Sequence, residues 1–387
     1  MTESVYLDHN ATTPIHPEVV LAMHECYQSQ VGNPASPHFL GRQSRAILEG
    51  ARERIAELLG ARLTGSQPDQ LLLTSGGTEA NNLAVKGIVG PADGRLVVSM
   101  IEHPSVRLAA DELSRRGNDV AWLPVDTSGI VIIEELAGLC TRPTRLVSVM
   151  LANNETGILQ PIRKLVGRIH HAVPVHTDAV QVVGKLEVNF RDLGVAAMSF
   201  SAHKFHGPVG VGGLLLRHDI RLEAQMHGGS QQMGLRPGTE SVPLAVGMCR
   251  ALEIWHQNRD AHARRLGDLR DRFEARLRDH MPSIVIHGSD QRRVPHTSNV
   301  SFPGLDRQAL LMALDLAGVA CSTGSACSSG ASEPSVVLSA MQCSDEVILG
   351  SLRFSLGLGS EVWEVDLATS RICNVINELR RGTRFGK

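Results

Sequence analysis

Several side chains able to do chemistry stand where one local pattern gives way to another. Thr74-Ser75-Gly76-Gly77-Thr78-Glu79 follows an apolar run and opens a helical pattern, so free backbone N–H groups, hydroxyls and two permissive glycines converge there. Such a loop can cradle a phosphate. Taken alone, it reads more readily as Thr78 capping a helix after a tight turn. His176-Thr177-Asp178-Ala179-Val180-Gln181 delivers an acid and an amide just past a β-branched run at 173–177. Lys204 lies in Ser201-Ala202-His203-Lys204-Phe205-His206-Gly207-Pro208, after an apolar-rich segment and before a Gly-Pro turn. Most lysines are solvated at the surface, but one desolvated here would lose proton affinity and become a nucleophile toward an aldehyde.

His103, in IEHPSV, ends a strand pattern and precedes Pro104, which places an imidazole at the same kind of boundary. Singly it reads more readily as a capping or packing residue. Asn153, in LANNETG, also follows a strand and can supply an amide, although the Asn153-Asn154 pair would serve equally as turn residues. A lysine able to form a Schiff base, an acid for a pyridinium nitrogen and a phosphate cradle together describe a site for pyridoxal 5′-phosphate.

Such groups need a rigid frame, and the periodicity supplies one. Short apolar runs at 70–74, 95–99, 145–152, 173–177, 196–201 and 209–216 alternate with helical patterns at 79–89, 103–116 and 162–171. That alternation predicts an α/β fold with a mostly parallel sheet covered on both faces, and ligands at the carboxyl ends of its strands. Two helices, 17–29 and 41–59, come first. A long helical stretch at 242–280 follows, charged along one face in the manner of a solvated surface. The remainder reads as a smaller α+β unit, with strands at 284–286 and 297–302 and helices at 306–317 and 361–381. The expected division is a large domain at 15–256 and a small domain made of 1–14 and 257–387.

Composition excludes several function classes. The 387 residues are 42% hydrophobic and 20% charged, with 38 Lys+Arg against 40 Asp+Glu and no long single-sign block, so neither nucleic acid nor an anionic membrane is an expected partner. Aromatic residues make up 3%, too few for a base-stacking platform. Apolar runs such as 209–216 fall far short of a membrane span. The N-terminal MTESVYLDHNATTP has no basic and no apolar signal region, which makes the cytoplasm the default. Seven scattered Cys with no CxxC pair argue for free thiols in a reducing compartment, and without HExxH or a Cys/His cluster no metal site is expected.

The chain resembles the cysteine desulfurases of the NifS/IscS type, in the class V, fold-type I branch of pyridoxal-phosphate enzymes. The resemblance covers nearly the whole chain. It is carried in order by YLDHNATTP (6–14), GNPASPHFLGR (32–42), SGGTEANN (75–82), EHPS (102–105), NNETG (153–157), HTDAVQ (176–181), SAHKFHGPVGVG (201–212), RPGTE (236–240), STGSACSSG (322–330) and RFSLG (353–357). It implies a seven-stranded sheet in the large domain and a homodimer. It assigns Lys204 to the cofactor aldehyde, Asp178 to the ring nitrogen and Gln181 to the ring hydroxyl. His103 stacks on the ring and moves protons. Gly77, Thr78, Ser201 and His203 hold the phosphate, joined by Thr239 from a second subunit. Asn153 and Arg353 receive the substrate carboxylate, for which a guanidinium is a planar bidentate clamp.

Cys327 decides the reaction that the resemblance implies. It lies among small residues with no apolar anchor, so an exposed and mobile loop is expected at about 322–333. A mobile thiol suits an enzyme that takes sulfur from L-cysteine, releases L-alanine, and hands a persulfide to an acceptor such as an iron–sulfur scaffold. Cys321 reads as a strand end and inert. The sequence stops soon after its last helix, where some relatives carry a longer tail that engages a scaffold, so the acceptor stays open. The alternatives are a selenocysteine lyase, a class V aminotransferase in which Cys327 is incidental, and an idle sulfur-carrier scaffold, against which Lys204 argues.

Overall fold

Runs such as Leu71-Leu72-Leu73 and Leu96-Val97-Val98 are too apolar to face water on either side, and they form strands of a seven-stranded sheet, the first at one edge and the second next to the other edge. The computed structural model describes residues 3–29, 32–91, 94–140, 143–169, 173–324 and 334–385. The strand order across the sheet is Gln70–Thr74, Gly212–Leu216, Ala197–Ser201, Val175–Asp178, Thr144–Ser148, Arg95–Ser99, Asp119–Leu123. All pairings are parallel except the two made by Gly212–Leu216, which runs antiparallel to both neighbours. Leu72, Val97, Phe200 and Leu215 are fully or nearly fully buried. At about 1.5–3 kcal/mol for each such side chain, the sheet is the part least able to deform, and its strand ends are fixed reference points.

Each face is covered by helices. Gly77–Val89 and Pro104–Arg115 pack together, closing Val85, Val89, Val106 and Leu113 over Leu96 and Val98. Pro17–Ser29, Phe39–Leu58 and Val242–Gln257 share the larger core on the other face. A smaller three-stranded antiparallel sheet, Ser351–Ser355, Thr297–Ser301, Val285–Ile286, packs with Arg259–His280 and Val362–Phe385 around Phe302, Phe354 and Leu314. Val5 and Leu7 belong to this second core, and Val5–Tyr6 pairs in parallel with Val319–Ala320. Val294, Val337, Leu338 and Met341 join the larger core, so the two units share a packed boundary. No helix among the described residues is long and apolar enough to cross a membrane.

Several elements differ from their expected bounds. The stretch 242–280 is two helices, broken at Asn258, whose backbone (φ −129, ψ 22) has left the helical region. The run expected at 145–152 ends as a strand at Ser148, and 149–152 continue as irregular chain toward the turn at Asn153. The edge strand Asp119–Leu123 escaped the apolar-run search because four of its five residues are only half-buried and one is Asp. Ser351–Ser355 escaped it too, since an arginine sits at the centre of a strand whose five residues are all buried.

Candidate active site

The register of the sheet assembles the candidate residues. Gly212 pairs with both Thr74 and Ser201, so the turn after Gln70–Thr74 and the end of Ala197–Ser201 lie on either side of one glycine. A Cβ on Gly212 would come within 2.8 Å of the Gly76 backbone, which explains the glycine there. Gly76 caps the helix Gly77–Val89 without a side chain, at a φ of +158. A Cβ on Gly76 would stand 3.7 Å from Ser201 Oγ. That hydroxyl is buried and has no protein partner. A helix N-terminus, two glycines and an unspent buried hydroxyl thus face one small volume, and they suit an anionic oxygen. Thr78 lines a neighbouring cavity of about 470 Å³ with Asn82, Lys86, His103, Ser105 and Leu108.

Lys204 lies in the short 3₁₀ turn Ala202–Lys204 directly after its strand. Its Nζ donates to the Asn10 carbonyl at 2.5 Å and the Ala11 carbonyl at 2.8 Å. Burial, and then the charge of Arg353, bring its ammonium down to about 8, against an opposing pull from Asp178 and Asp8. Burial and Arg353 thus free the amine's lone pair as pH passes about 8. His203, brought down to about 4 by burial and by Lys204, has Nδ1 3.2 Å from the Thr12 hydroxyl.

Asp178 closes the strand Val175–Asp178 and is buried. Its carboxylate accepts from Asn81 Nδ2 at 2.7 Å and from the Val180 N–H at 2.9 Å. Asn81 also donates to the Ser105 hydroxyl, 2.9 Å away, which lies 2.8 Å from His103 Nδ1. That nitrogen accepts the Ser105 N–H as His103 caps its helix, leaving the ring proton on Nε2. Burial lowers the imidazole below its ordinary value, with Asp178 opposing, so the ring is neutral near pH 7. Gln181 is buried and donates to the Asn10 carbonyl at 3.4 Å.

The N-terminal segment ties this edge to the smaller sheet. Asn10 receives a bond on its carbonyl from Lys204 and donates from its own side chain to Thr297, while its N–H donates to the Ser355 hydroxyl. Asp8 accepts from Arg353 NH2 at 2.8 Å. Arg353 NH1 donates to the Asn154 carbonyl at 3.0 Å, and its buried Nε has no partner. Asn153 is spent on its own turn: Oδ1 accepts from the Glu155 and Thr156 N–H groups, and Nδ2 donates to the Ile101 carbonyl.

One described candidate residue is not joined to this group. Thr239 is exposed, on a segment that the bidentate pair of Arg236 with Glu79, at 2.7 and 3.1 Å, holds against the start of Gly77–Val89. Cys327 lies outside the described residues. Cys321, by contrast, is mostly buried, and burial together with Asp8 pushes its thiol up to about 12. Sequence reasoning assigned no role to Asn81, Ser105, Asn10 or Asp8. A signal for Asn81 existed, since it falls one helical turn after Gly77 and therefore on the same face.

A family model for aminotransferase class-V matches residues 5–367. The chain belongs to the class-V aminotransferase family. Curated members similar to it include a cysteine desulfurase IscS of Dictyoglomus turgidum, 40% identical over 98% of this chain and 96% of its own, and an IscS-like cysteine desulfurase of Mycobacterium tuberculosis, 41% identical over 97% of each. Among solved structures, the NifS-like protein from Rickettsia africae superposes with a TM-score of 0.88 at 30% identity, covering 97% of this chain and 100% of that one. A structure described as SspA in complex with cysteine has a TM-score of 0.78 at 30% identity, covering 91% and 99%.

Proposed function

We propose that the protein takes sulfur from L-cysteine with pyridoxal 5′-phosphate as its cofactor, releases L-alanine, and holds the sulfur as a persulfide on Cys327. The observation that carries this reading is the convergence at one sheet edge of the Lys204 amine, the braced Asp178–Asn81–Ser105–His103 chain and the unspent Ser201 hydroxyl. Membership of the class-V family and its cysteine desulfurase relatives support the cofactor and the substrate. So does a similar structure that was solved with cysteine.

The cofactor supplies an aldehyde and a ring that withdraws charge from a substrate carbon. The chain's residues do the rest. Ser201, Gly77, Thr78 and His203 would hold the phosphate, Asp178 would take the ring nitrogen, and Gln181 would take the ring hydroxyl. Lys204 would hold the aldehyde through Nζ, which burial and Arg353 bring down to about 8 and which can then carry a proton. His103 keeps a proton on Nε2 beside it. Arg353, with Nε unspent, meets the substrate carboxylate; Asn153 joins it by releasing the Ile101 carbonyl. The Cys327 sulfur then bonds to the substrate sulfur as the carbon–sulfur bond breaks. The electron pair stays on the carbon, which takes the proton, so one thiol and one cysteine become one persulfide and one alanine.

Thr239 would complete a phosphate site in a second copy of the chain, a reading supported by its exposure and by exposed Tyr27, Phe39, Val209 and Met233. The thiols of Cys140, Cys249, Cys321, Cys343 and Cys373, none of them in a disulfide, support a reducing cytoplasm. The acceptor we propose is an iron–sulfur scaffold. The test is Cys327→Ser with L-cysteine and a reductant: cofactor binding should persist while alanine and sulfide fall together by at least about 100-fold. Near-normal amounts of both products would overturn the assignment.

A further inference from the structure

The segment carrying Cys327 leaves the described fold at Gly324 and rejoins it at Pro334-Ser335, and one buried carboxylate touches both ends. Ser335 Oγ donates to Glu155 Oε2 at 2.6 Å, and the same hydroxyl caps the helix Val336–Ala340 by accepting the Leu338 N–H. Gly324, at a φ of +82, lies against that carboxylate so closely that a Cβ would stand 3.3 Å from Oε2 and 3.1 Å from Glu155 Cγ. Glu155 and Ser335 are both buried, at 5% and 0% exposure. The Glu155 N–H is itself fixed by Asn153 Oδ1, so the carboxylate is anchored to the strand-end turn beside the active site. Burial raises the Glu155 carboxyl above its ordinary value, with the Ser335 hydroxyl, Arg353, Arg307 and Arg107 opposing, and Ser322 pairs with Arg353 through both backbone bonds just before Gly324. A buried acid with this much support would be costly to place without a use for it.

We infer that Glu155 is a positioning residue that fixes both stems of the segment bearing the acceptor thiol, Gly324 on one side and Ser335 on the other. The inference rests on the reading of Cys327 as the sulfur acceptor. It explains why a turn residue is acidic, and why the segment starts at a glycine whose Cβ would crowd that acid.

The experiment uses the cofactor-loaded enzyme with Glu155→Ala, Glu155→Gln and Ser335→Ala, after melting curves have shown which variants fold. Where Glu155→Ala does not fold, Ser335→Ala carries the same test. The rate of Cys327 alkylation by iodoacetamide, mapped by mass spectrometry, should change at least about threefold and in the same direction for Glu155→Ala and Ser335→Ala. Cys140 should be unaffected. With L-cysteine, kcat for alanine should fall about tenfold while KM moves less than about twofold, and Glu155→Gln, which still accepts from Ser335, should recover most of the loss. Unchanged alkylation in both variants, or a Glu155→Gln as impaired as Glu155→Ala, would overturn the inference. Alkylation needs no turnover, so a wild-type enzyme that makes alanine without sulfur on Cys327 would count against the proposed reaction and leave the anchor to be decided by alkylation.

Discussion

The edge of the large sheet and the strand Ser351–Ser355 approach one another through the N-terminal segment, and they are built on opposite plans. On the large sheet, strand ends and helix starts hold the side chains, and bonds run from Asp178 to Asn81, Ser105 and His103 without leaving that edge. On the small sheet a single arginine stands mid-strand, braced by Asp8 and the Asn154 carbonyl, both from outside its sheet. Each region leaves buried polar atoms without a protein partner, Ser201 Oγ among them on one side and Arg353 Nε on the other. The difference teaches that the first region is set for a resident group, while the second depends on how the two units sit and is suited to a ligand that comes and goes.

The largest effect should come from the large-sheet edge. Lys204→Ala should lower alanine formation by at least about 10³-fold while leaving the melting temperature nearly unchanged, because a lysine bonded only to two carbonyls contributes little packing. Borohydride reduction of the loaded wild type and peptide mapping should put the cofactor on Lys204. Trapping on another lysine would break the comparison at its first member.

A smaller and different effect should come from Arg353. Arg353→Ala should raise KM for cysteine by about 10- to 100-fold, and Arg353→Lys should recover little, since a lysine cannot keep Asp8, the Asn154 carbonyl and a carboxylate together. A variant with normal KM would remove the substrate role from the small sheet.

The smallest effect is on stability and concerns Glu102. Its carboxyl is fully buried, accepts from Ser99 Oγ and the Met150 N–H, and is pushed by burial up to about 8. Between its ordinary value of 4.5 and about 8 the folded state therefore holds a proton that the unfolded chain has released. The stabilisation is complete below the lower value, declines as pH rises through that window, and is gone above about 8. Glu102→Gln should flatten the melting-temperature profile across it. An unchanged slope would show that the large-sheet edge holds this acid ionised.

Much of this was legible in the sequence. Lys204, Asp178 and His103 could be located because each directly follows a strand signal or precedes a helix signal, and a parallel sheet brings such boundaries together. The bracing partners could not. Asn81 and Ser105 sit inside helices, where an amide or a hydroxyl reads as an ordinary surface residue until the opposite strand is known. Asp8 and Asn10 were invisible for a related reason: their contacts, with Arg353, Thr297 and Lys204, cross hundreds of residues or the boundary between the two units. The buried arginine of Ser351–Ser355 broke the apolar pattern that would have announced a strand.

The central claim is that sulfur moves from cysteine to one particular thiol. It is tested most directly by intact-protein and peptide mass spectrometry after the loaded enzyme meets one equivalent of L-cysteine without reductant. The account predicts a gain of about 32 Da, one sulfur atom, on the peptide containing Cys327, with Cys321 unmodified and one alanine released per adduct. Alanine formed with the added sulfur on Cys321 or Cys343, or with none on the protein, would contradict it.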